Sequence, residues 1–296
     1  MKKQFLLLVL LLLSLSACAS ASAQAAANGE NDVYIENKGS DTMVNLALAW
    51  AERYQDTHDG VRISVTGGGS GTGIAALLND TVDLANASRQ IKDEEIEKAR
   101  ANGLEPVEFV VARDAIAVVV HPDNPVNALS LEQLADIYSG KISNWREVGG
   151  EDRPIVRLSR ETNSGTHVYF LEVVLRLGDS DNKTLFSQDT LLLPSSEGII
   201  HEVRQNPNAI GYDGLGYVPH DLKVLAVSAN DSDVYVSPSI ETVNSGTYPI
   251  ARDLYIYSAG QPEGFVKAYL DWIFSEEAQQ IVSDLGFVPV GEPHYP

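Results

Sequence analysis

A glycine-rich stretch with interspersed hydroxyl residues is the part of this sequence best suited to bind an anion. It reads TGGGSGTG over residues 66–73, after a strand-like alternation and before a helix-like run. Such a turn leaves backbone N–H groups unpaired at the helix start, and the missing Cβ atoms let a ligand approach them. The stretch has neither the lysine of a P-loop nor a clean dinucleotide fingerprint. Taken alone, it fits a tight structural turn as well as an anion-binding loop.

Three more polar turns follow predicted strands and precede predicted helices. They are GSDT at residues 39–42, NASR at 86–89 and SRETNSGT at 159–166, with Arg160 near the start of the last one. Open α/β sheets bind their ligands at the carboxyl ends of strands, which is where these turns lie. Ser, Thr and Asp are also common N-cap residues, so helix capping is the competing explanation. Capping alone does not account for three such residues in a row behind Gly39.

Strands and helices alternate along the chain, which predicts α/β units with largely parallel sheets. Apolar runs rich in β-branched residues predict buried strands at 106–111 and 115–120. The closing segment predicts one helix at 265–282, followed by a tail at 284–295.

Two lobes are expected rather than one long sheet, because the polar turns come from distant parts of the chain and must meet at one ligand. The tripeptide ARD occurs at 112–114 and again at 251–253, each time beside an apolar strand. We place the two crossings between the lobes there. Lobe one then comprises residues 32–112 and 252–296, and lobe two comprises residues 113–251.

The N-terminus has the features of a secretory signal, since Met1-Lys2-Lys3 precedes an apolar run that is too short to span a membrane. Cys18 is the only cysteine and ends the motif LSAC, which resembles the lipobox of bacterial lipoproteins. We therefore predict a signal peptide at residues 1–17, lipidation at Cys18 and a flexible tether at 18–31. The alternative is a stray cysteine in a discarded signal. The favoured interpretation places an exported domain, held by acyl chains, at a membrane surface facing the periplasm or the exterior.

Composition and charge exclude several classes of function. The chain has 296 residues, of which 44% are apolar, so it can bury a substantial core. Its net charge of −20 makes nucleic acid an unsuitable partner. The six histidines are scattered without metal-ligand spacing, and we predict no metal and no cofactor. No motif pairs a nucleophile with a neighbouring base, and there is no G-x-S-x-G elbow, so we predict that the protein is not an enzyme.

Taken together, the four turns resemble those of PstS-type phosphate-binding proteins of the Pst ABC transporter. The resemblance extends over nearly the whole chain after the signal, and includes SNW at 143–145 and IGY at 210–212. It implies an α/β, two-lobed periplasmic-binding-protein fold in which each lobe is a mixed, mostly parallel sheet flanked by helices. It further implies that inorganic phosphate lies in the cleft between lobes, that a hinge closes over it, and that a membrane permease receives it. We expect a monomer.

The resemblance also implies which residues bind phosphate. Carried over by motif position, they are Thr42, Met43 through its N–H, Ser70, Arg160, Ser164, Gly165 and Thr166. Arg89 stands where better-known members of the family have a carboxylate, so we predict Asp41 as the hydrogen-bond acceptor that selects phosphate, and Arg89 as a second counter-charge. Ser40, Asn86 and Ser88 either cap helices or support the ligand contacts.

Other functions remain open at this stage. One is a binding protein for sulfate, molybdate or another oxyanion. A secreted phosphatase that uses the same loops, and an adhesin that has kept the fold, are further alternatives. Turnover of a phosphate ester would identify the phosphatase, and failure to bind any oxyanion would favour the adhesin.

Overall fold

The predicted alternation of strands and helices is present in the computed structural model, which describes residues 32–229 and 234–291. The strands are β1 Val33–Gly39, β2 Val61–Thr66, β3 Leu84–Ala87, β4 Val107–Val120, β5 Ala128–Ser130, β6 Val156–Arg160, β7 Leu191–Leu193, β8 Ala209–Gly214, β9 Lys223–Ser228 and β10 Ala251–Ser258. The α-helices are α1 Val44–Thr57, α2 Ser70–Leu78, α3 Asp93–Ala101, α4 Leu131–Ser139, α5 Gly165–Phe170, α6 Ser196–Gln205, α7 Ile240–Asn244, α8 Gly264–Ile273 and α9 Glu276–Asp284. Short 3₁₀ turns occur at Asp41–Met43, Trp145–Val148 and Leu215–Tyr217, and a π-helical turn at Leu171–Leu175.

The predicted signal peptide, the lipidation at Cys18 and the tether lie outside the described residues. None of the helices in the two described ranges is long and apolar enough to span a membrane.

The strands form one curled, mixed sheet in the order β2-β1-β3-β10-β4-β8-β6-β7, with β9 pairing to β4 and β5. The β1–β2, β1–β3, β6–β8 and β6–β7 pairs are parallel, as expected where a helix connects successive strands. β10 runs antiparallel to both β3 and β4, and β4 runs antiparallel to β8. The predicted α/β fold with mixed sheets is confirmed.

The two largest hydrophobic cores of the described residues lie along this sheet. One is built around Trp50, Phe109 and Tyr269, and so combines residues from both ends of the described chain. The indole N–H of Trp50 donates to the carbonyl of Ala278 (2.9 Å), which ties α1 to α9. The other core comes from the middle of the chain and includes Tyr138, Trp145, Phe170 and Tyr212.

The segment predicted as two strands at 106–111 and 115–120 is a single 14-residue strand, β4. Its first half pairs with β10, and its second half pairs with β8 and β9. The strand changes cores on the way, because Ala112 packs in the first and Ala115 in the second. The lobe boundaries at 112/113 and 251/252 stay a prediction, which this change of core supports.

The closing helix and the tail differ from the prediction. The segment 265–282 is two helices, because Ser275 is extended between them and its hydroxyl accepts from the N–H of Ala278 at 3.2 Å, which caps α9. Of the predicted tail, the structure describes residues 284–291, in which Phe287 and Val288 pack into the fold and are each 2% exposed. Val288 also exchanges two backbone hydrogen bonds with Arg113 (2.8 and 2.9 Å), so this segment stabilises the middle of β4.

Candidate functional site

The turn after β1 lies beside the turn after β3. Ser40, Thr42 and Met43 are buried in it. The N–H of Ser40 donates to the carbonyl of Asn86 (2.9 Å), which fixes the two strand ends side by side. The N–H of Met43, predicted to donate to the ligand, donates here to the carbonyl of Ser40 at 3.0 Å. Its role toward a ligand stays a prediction.

Two predicted serines meet the start of α5 at one point. The N–H of Ser88 donates to Ser70 Oγ at 3.0 Å, and the two hydroxyl oxygens are 3.3 Å apart. A Cβ on Gly165 would lie only 2.4 Å from Ser70 Oγ and 2.5 Å from Ser88 Oγ. Glycine is therefore required at 165, because only its bare Cα lets the α5 N-terminus approach both hydroxyls. Ser164 caps the same helix by accepting from the N–H of Thr166 at 3.2 Å.

The turns from the two halves of the fold are joined directly. Thr42 Oγ1 and Thr166 Oγ1 are 2.9 Å apart and fully buried. Asn163 donates through its side-chain amide to the carbonyl of Gly68 (2.9 Å), and its own carbonyl accepts from the N–H of Gly71 (3.2 Å). The glycine-rich stretch and the 159–166 turn, 95 residues apart at Gly68 and Asn163, thus form one site.

Arg160 lies 1% exposed at the end of β6. It donates to Asp41 Oδ2 at 2.7 Å, to the carbonyl of Pro194 at 2.9 Å and to Ser196 Oγ at 2.9 Å. Its Nε is buried and has no hydrogen-bond partner among the described residues. A buried, charged donor without a partner is costly, which is consistent with a site that awaits an acceptor.

Asp41 has a protein partner for each of its carboxylate oxygens. Oδ1 accepts from the N–H of Gly68 (2.9 Å), while Oδ2 pairs with Arg160. The carboxylate thereby links the first turn, the glycine-rich stretch and the Arg160 turn. It lies where the three turns meet. Its predicted contact with phosphate stays a prediction, and these two contacts give it a second role in joining the lobes.

Arg89 is engaged in an ion pair. Its two Nη atoms donate to the two carboxylate oxygens of Glu95 (2.8 Å each), and Nη1 also donates to the carbonyl of Gln90. Burial alone would raise the pKa of Glu95, but the bonds from Arg89 lower it. The charge of Arg89 is thus largely paired within the protein, and its action as a second counter-charge stays a prediction.

Sequence reasoning did not include three buried residues that complete the site. Arg252 Nη2 donates to Thr166 Oγ1 (3.0 Å) and to Thr42 Oγ1 (3.3 Å). Ser196 Oγ donates to Asp213 Oδ1 (3.0 Å), whose other oxygen is 3.7 Å from Arg160 Nη1. The repeated ARD tripeptide was the available signal for Arg252, and the polar sequence PSSEG at 194–198, directly before a helix, was the available signal for Ser196. Asp213 directly follows the IGY motif at 210–212, but that motif does not by itself indicate a carboxylate in the site.

Two buried carboxylates lie behind the threonine hydroxyls. Asp114 and Asp213 are both 0% exposed. Burial raises the pKa of Asp114 to about 6, although the charge of Arg252 opposes the shift. Burial likewise raises the pKa of Asp213, against the opposing charge of Arg160. Each carboxylate is held beside a guanidinium because an isolated buried charge would be far more expensive.

A cavity of about 750 Å³ borders the site. Its lining mixes Arg89, Arg113 and Arg252 with acidic residues such as Glu172. Arg252 belongs both to this cavity wall and to the group that contacts the threonine hydroxyls. The cavity and the convergent turns are therefore parts of one region.

Comparison with known proteins identifies the family. A PBP superfamily domain matches residues 21–277. The phosphate-binding protein PstS of Pseudomonas aeruginosa is 31% identical over 273 residues, which cover 86% of this chain and 83% of that protein. The PstS of Bacillus subtilis is 34% identical over 253 residues, covering 85% of this chain and 79% of that one. The chain belongs to the PstS family of phosphate-binding proteins.

Solved structures agree with this family assignment. A Clostridium perfringens protein, described as a phosphate ABC transporter substrate-binding protein and crystallised with bound phosphate, matches with a TM-score of 0.77 and 32% identity over 87% of this chain and 100% of that one. An ABC-type phosphate transport receptor from Vibrio cholerae matches with a TM-score of 0.70 and 26% identity over 87% of this chain and 100% of that one. The PstS fold therefore accounts for the convergence of the four turns.

The raised pKa of Asp114 makes the stability of the fold dependent on pH in a defined direction. A carboxyl whose native pKa lies above its unfolded value near 4 binds its proton more tightly in the native state, so the stability it contributes at low pH is lost as the pH rises toward 6. For Asp114→Asn, we expect the free energy of unfolding relative to the parent to rise by on the order of 3 kcal/mol between pH 4 and pH 6, and then to level off.

Urea unfolding at half-unit pH steps measures this difference. The test is how this difference in the free energy of unfolding changes with pH. Its absolute value is not the test, because removing the carboxylate also leaves Arg252 without its partner and lowers the stability of the variant at every pH. Asp253→Asn, from the exposed pair in the same two strands, is the matched control. A difference between Asp114→Asn and the parent that stays constant from pH 4 to pH 6 would contradict the raised pKa.

Proposed function

We propose that this protein binds inorganic phosphate between its lobes and delivers it to the membrane permease of an ABC importer, without chemical turnover. The convergence of Thr42, Ser70, Gly165 and Thr166 beside the buried Arg160 is the observation that carries the proposal. The names of the PstS relatives and the phosphate in the Clostridium perfringens structure support it.

The chemistry of the site suits a tetrahedral oxyanion. Phosphate loses several kcal/mol of hydration free energy unless donors meet each of its oxygens. Hydroxyl groups and backbone N–H groups at the starts of helices supply neutral donors in several directions, and Arg160 supplies charge-assisted hydrogen bonds. The net charge of −20 does not prevent this, because salt screens distant charges over about 10 Å while the donors act at contact.

The proposed ligand set is the one inferred from the sequence. Thr42, Met43 through its N–H, Ser70, Arg160, Ser164, Gly165 and Thr166 contact the anion, and Asp41 accepts a hydrogen bond from the protonated oxygen of phosphate. Ser40, Asn86 and Ser88 support these contacts from the adjoining turns. Arg89 acts more remotely, since its guanidinium is engaged by Glu95.

One feature of the structure bears on the phosphatase alternative. Ser159 Oγ is 3.0 Å from His167 Nδ1, which is the spacing of a nucleophile and its base. Ser159 is 0% exposed, and its hydroxyl also lies 2.6 Å from the hydroxyl of Tyr212. Burial lowers the pKa of His167. We interpret this pair as part of the core that supports β6, which favours binding over catalysis.

Export, lipidation at Cys18, attachment to the membrane surface and a monomeric state belong to the same proposal. Cys18 as the anchor would keep the binding protein close to its permease. No metal or cofactor is proposed to take part. Within residues 32–229 and 234–291, no group of three or more His, Cys, Asp or Glu side chains is placed to hold a metal ion.

Calorimetry tests the function directly. The chain without its first 31 residues is titrated separately with phosphate, sulfate and molybdate, and we expect saturable binding with phosphate strongly preferred. Tight binding of sulfate or molybdate with weak binding of phosphate would instead establish the other oxyanion function. If none of the three anions binds, oxyanion binding is refuted.

Replacing Arg160 by Ala should weaken phosphate binding at least about tenfold. The reason is that the anion would face only hydroxyls and amides, and a charged hydrogen bond in a desolvated site is worth several kcal/mol. Arg204→Ala is the matched control, since Arg204 also pairs with an aspartate but is 40% exposed. Arg160→Ala protein that folds and binds phosphate as tightly as the parent would remove Arg160 from the site.

Asp41→Asn should narrow the preference for phosphate over sulfate by about tenfold or more, mainly by admitting sulfate. Phosphate keeps a proton near neutral pH and can donate to a carboxylate, whereas fully ionised sulfate is repelled by it. Calorimetry with both anions gives the ratio of phosphate affinity to sulfate affinity. Asp221→Asn, from the exposed pair with Arg204, is the control. An unchanged ratio would show that Asp41 only joins Arg160 to Gly68, and would leave Asp114 and Asp213 as the carboxylates to test.

A further inference from the structure

The two ARD tripeptides pair with each other across β4 and β10. In this antiparallel register, Arg252 faces Asp114 and Asp253 faces Arg113. Because successive side chains of a strand point to opposite faces, one ion pair lies inside the fold and the other outside. The Arg252–Asp114 pair is 2.9 Å long, with side chains 2% and 0% exposed. The Arg113–Asp253 pair is 3.2 Å long, with side chains 47% and 39% exposed.

The inward pair brings Arg252 into contact with three turns of the site. Nη1 donates to the carbonyl of Ser88 at 3.0 Å. Nη2 donates to Asp114 Oδ2 at 2.9 Å and to the hydroxyl oxygens of Thr166 and Thr42 at 3.0 and 3.3 Å. These bonds exceed what an ion pair with Asp114 requires, and they connect β10 to residues from both halves of the fold.

The hydrogen bonds from Arg252 determine how the two threonine hydroxyls act as donors and acceptors. A guanidinium group can only donate, so Thr42 Oγ1 and Thr166 Oγ1 must both accept from Arg252. Each hydroxyl keeps one hydrogen. One of these hydrogens serves the 2.9 Å contact between the two oxygens, and the other is directed away from Arg252.

We propose that Arg252 is a positioning residue of the anion site, which orients the hydrogen-bonded pair of Thr42 and Thr166 so that its one remaining hydroxyl hydrogen is directed toward the bound oxyanion. Asp114 holds Arg252 in place from behind, and the carbonyl of Ser88 fixes the plane of its guanidinium group. Arg252 also adds a positive charge behind the hydroxyls, which strengthens them as donors. The inference rests on the proposed binding of phosphate and extends it to a residue outside the ligand set.

One double variant tests the inward pair, and a second serves as its control. Arg252→Met combined with Asp114→Asn removes the inward pair without leaving a buried charge unpaired, and Arg204→Met combined with Asp221→Asn removes an exposed pair outside the site. Calorimetry with phosphate should show at least about tenfold weaker binding for the inward double variant and less than twofold change for the Arg204–Asp221 double variant. Arg252→Lys keeps the charge but loses the planar fork, and should also bind more weakly.

A double-mutant cycle separates positioning from general support of the fold. In a Thr42→Val and Thr166→Val background, Arg252→Lys should change phosphate affinity by less than about twofold, because the hydroxyls through which Arg252 acts are gone. An effect of the same size in both backgrounds would overturn the inference. So would parent-like affinity of Arg252→Lys and of the inward double variant.

The same titrations distinguish this inference from the proposed function. The parent chain is measured in every series. If the parent binds sulfate or molybdate in place of phosphate, the proposed function fails, and the double-mutant cycle is measured with the anion that binds. If the parent binds phosphate and the Arg252 variants match it, only the inference fails. A parent that binds none of the three anions would refute both.

Discussion

Two guanidinium groups buried at the junction of the lobes are the constraint on which the site depends. Arg160 and Arg252 are 1% and 6% exposed, and neither could remain charged there without carboxylates in contact. Asp41 and Asp213 lie beside Arg160, and Asp114 lies beside Arg252. This arrangement leaves a small group of donors directed at one point while the surrounding charge is balanced, which is what an anion site in an acidic protein requires.

Residues that are far apart in the sequence lie in contact around these two guanidinium groups. Asp41 and Arg160 are 119 residues apart but lie 2.7 Å from each other, and Arg252 reaches Thr42 over 210 residues. Such contacts arise because each polar turn ends a strand, and the sheet order puts the ends of β1, β3 and β6 on either side of the long strands β4 and β10. The same two strands carry both cores, so a movement of one lobe against the other would act on the ion pairs between them.

Bound phosphate would enter this network as one more acceptor among paired charges. Arg160 already donates to Asp41, Pro194 and Ser196, and its Nε is one of several buried donors without a partner among the described residues, as is the Nε of Arg89. Binding of an oxyanion therefore need not create the site. It needs only to complete a set of donors that the fold has already oriented, which reduces the entropy lost on binding.

The sequence by itself determined the α/β class, the four polar turns and the family, because these depend on local periodicity, on glycine and hydroxyl residues at strand ends, and on their order along the chain. It also indicated Arg160 and the hydroxyl residues that meet in the site. Only the tertiary structure decided the pairing of charges. The ion pairs are Arg89 with Glu95, Arg160 with Asp41, and Arg252 with Asp114. Which carboxylate each arginine pairs with depends on strand register and burial, and local sequence patterns contain neither. For the same reason, Asp213 could not be recognised from its own strand.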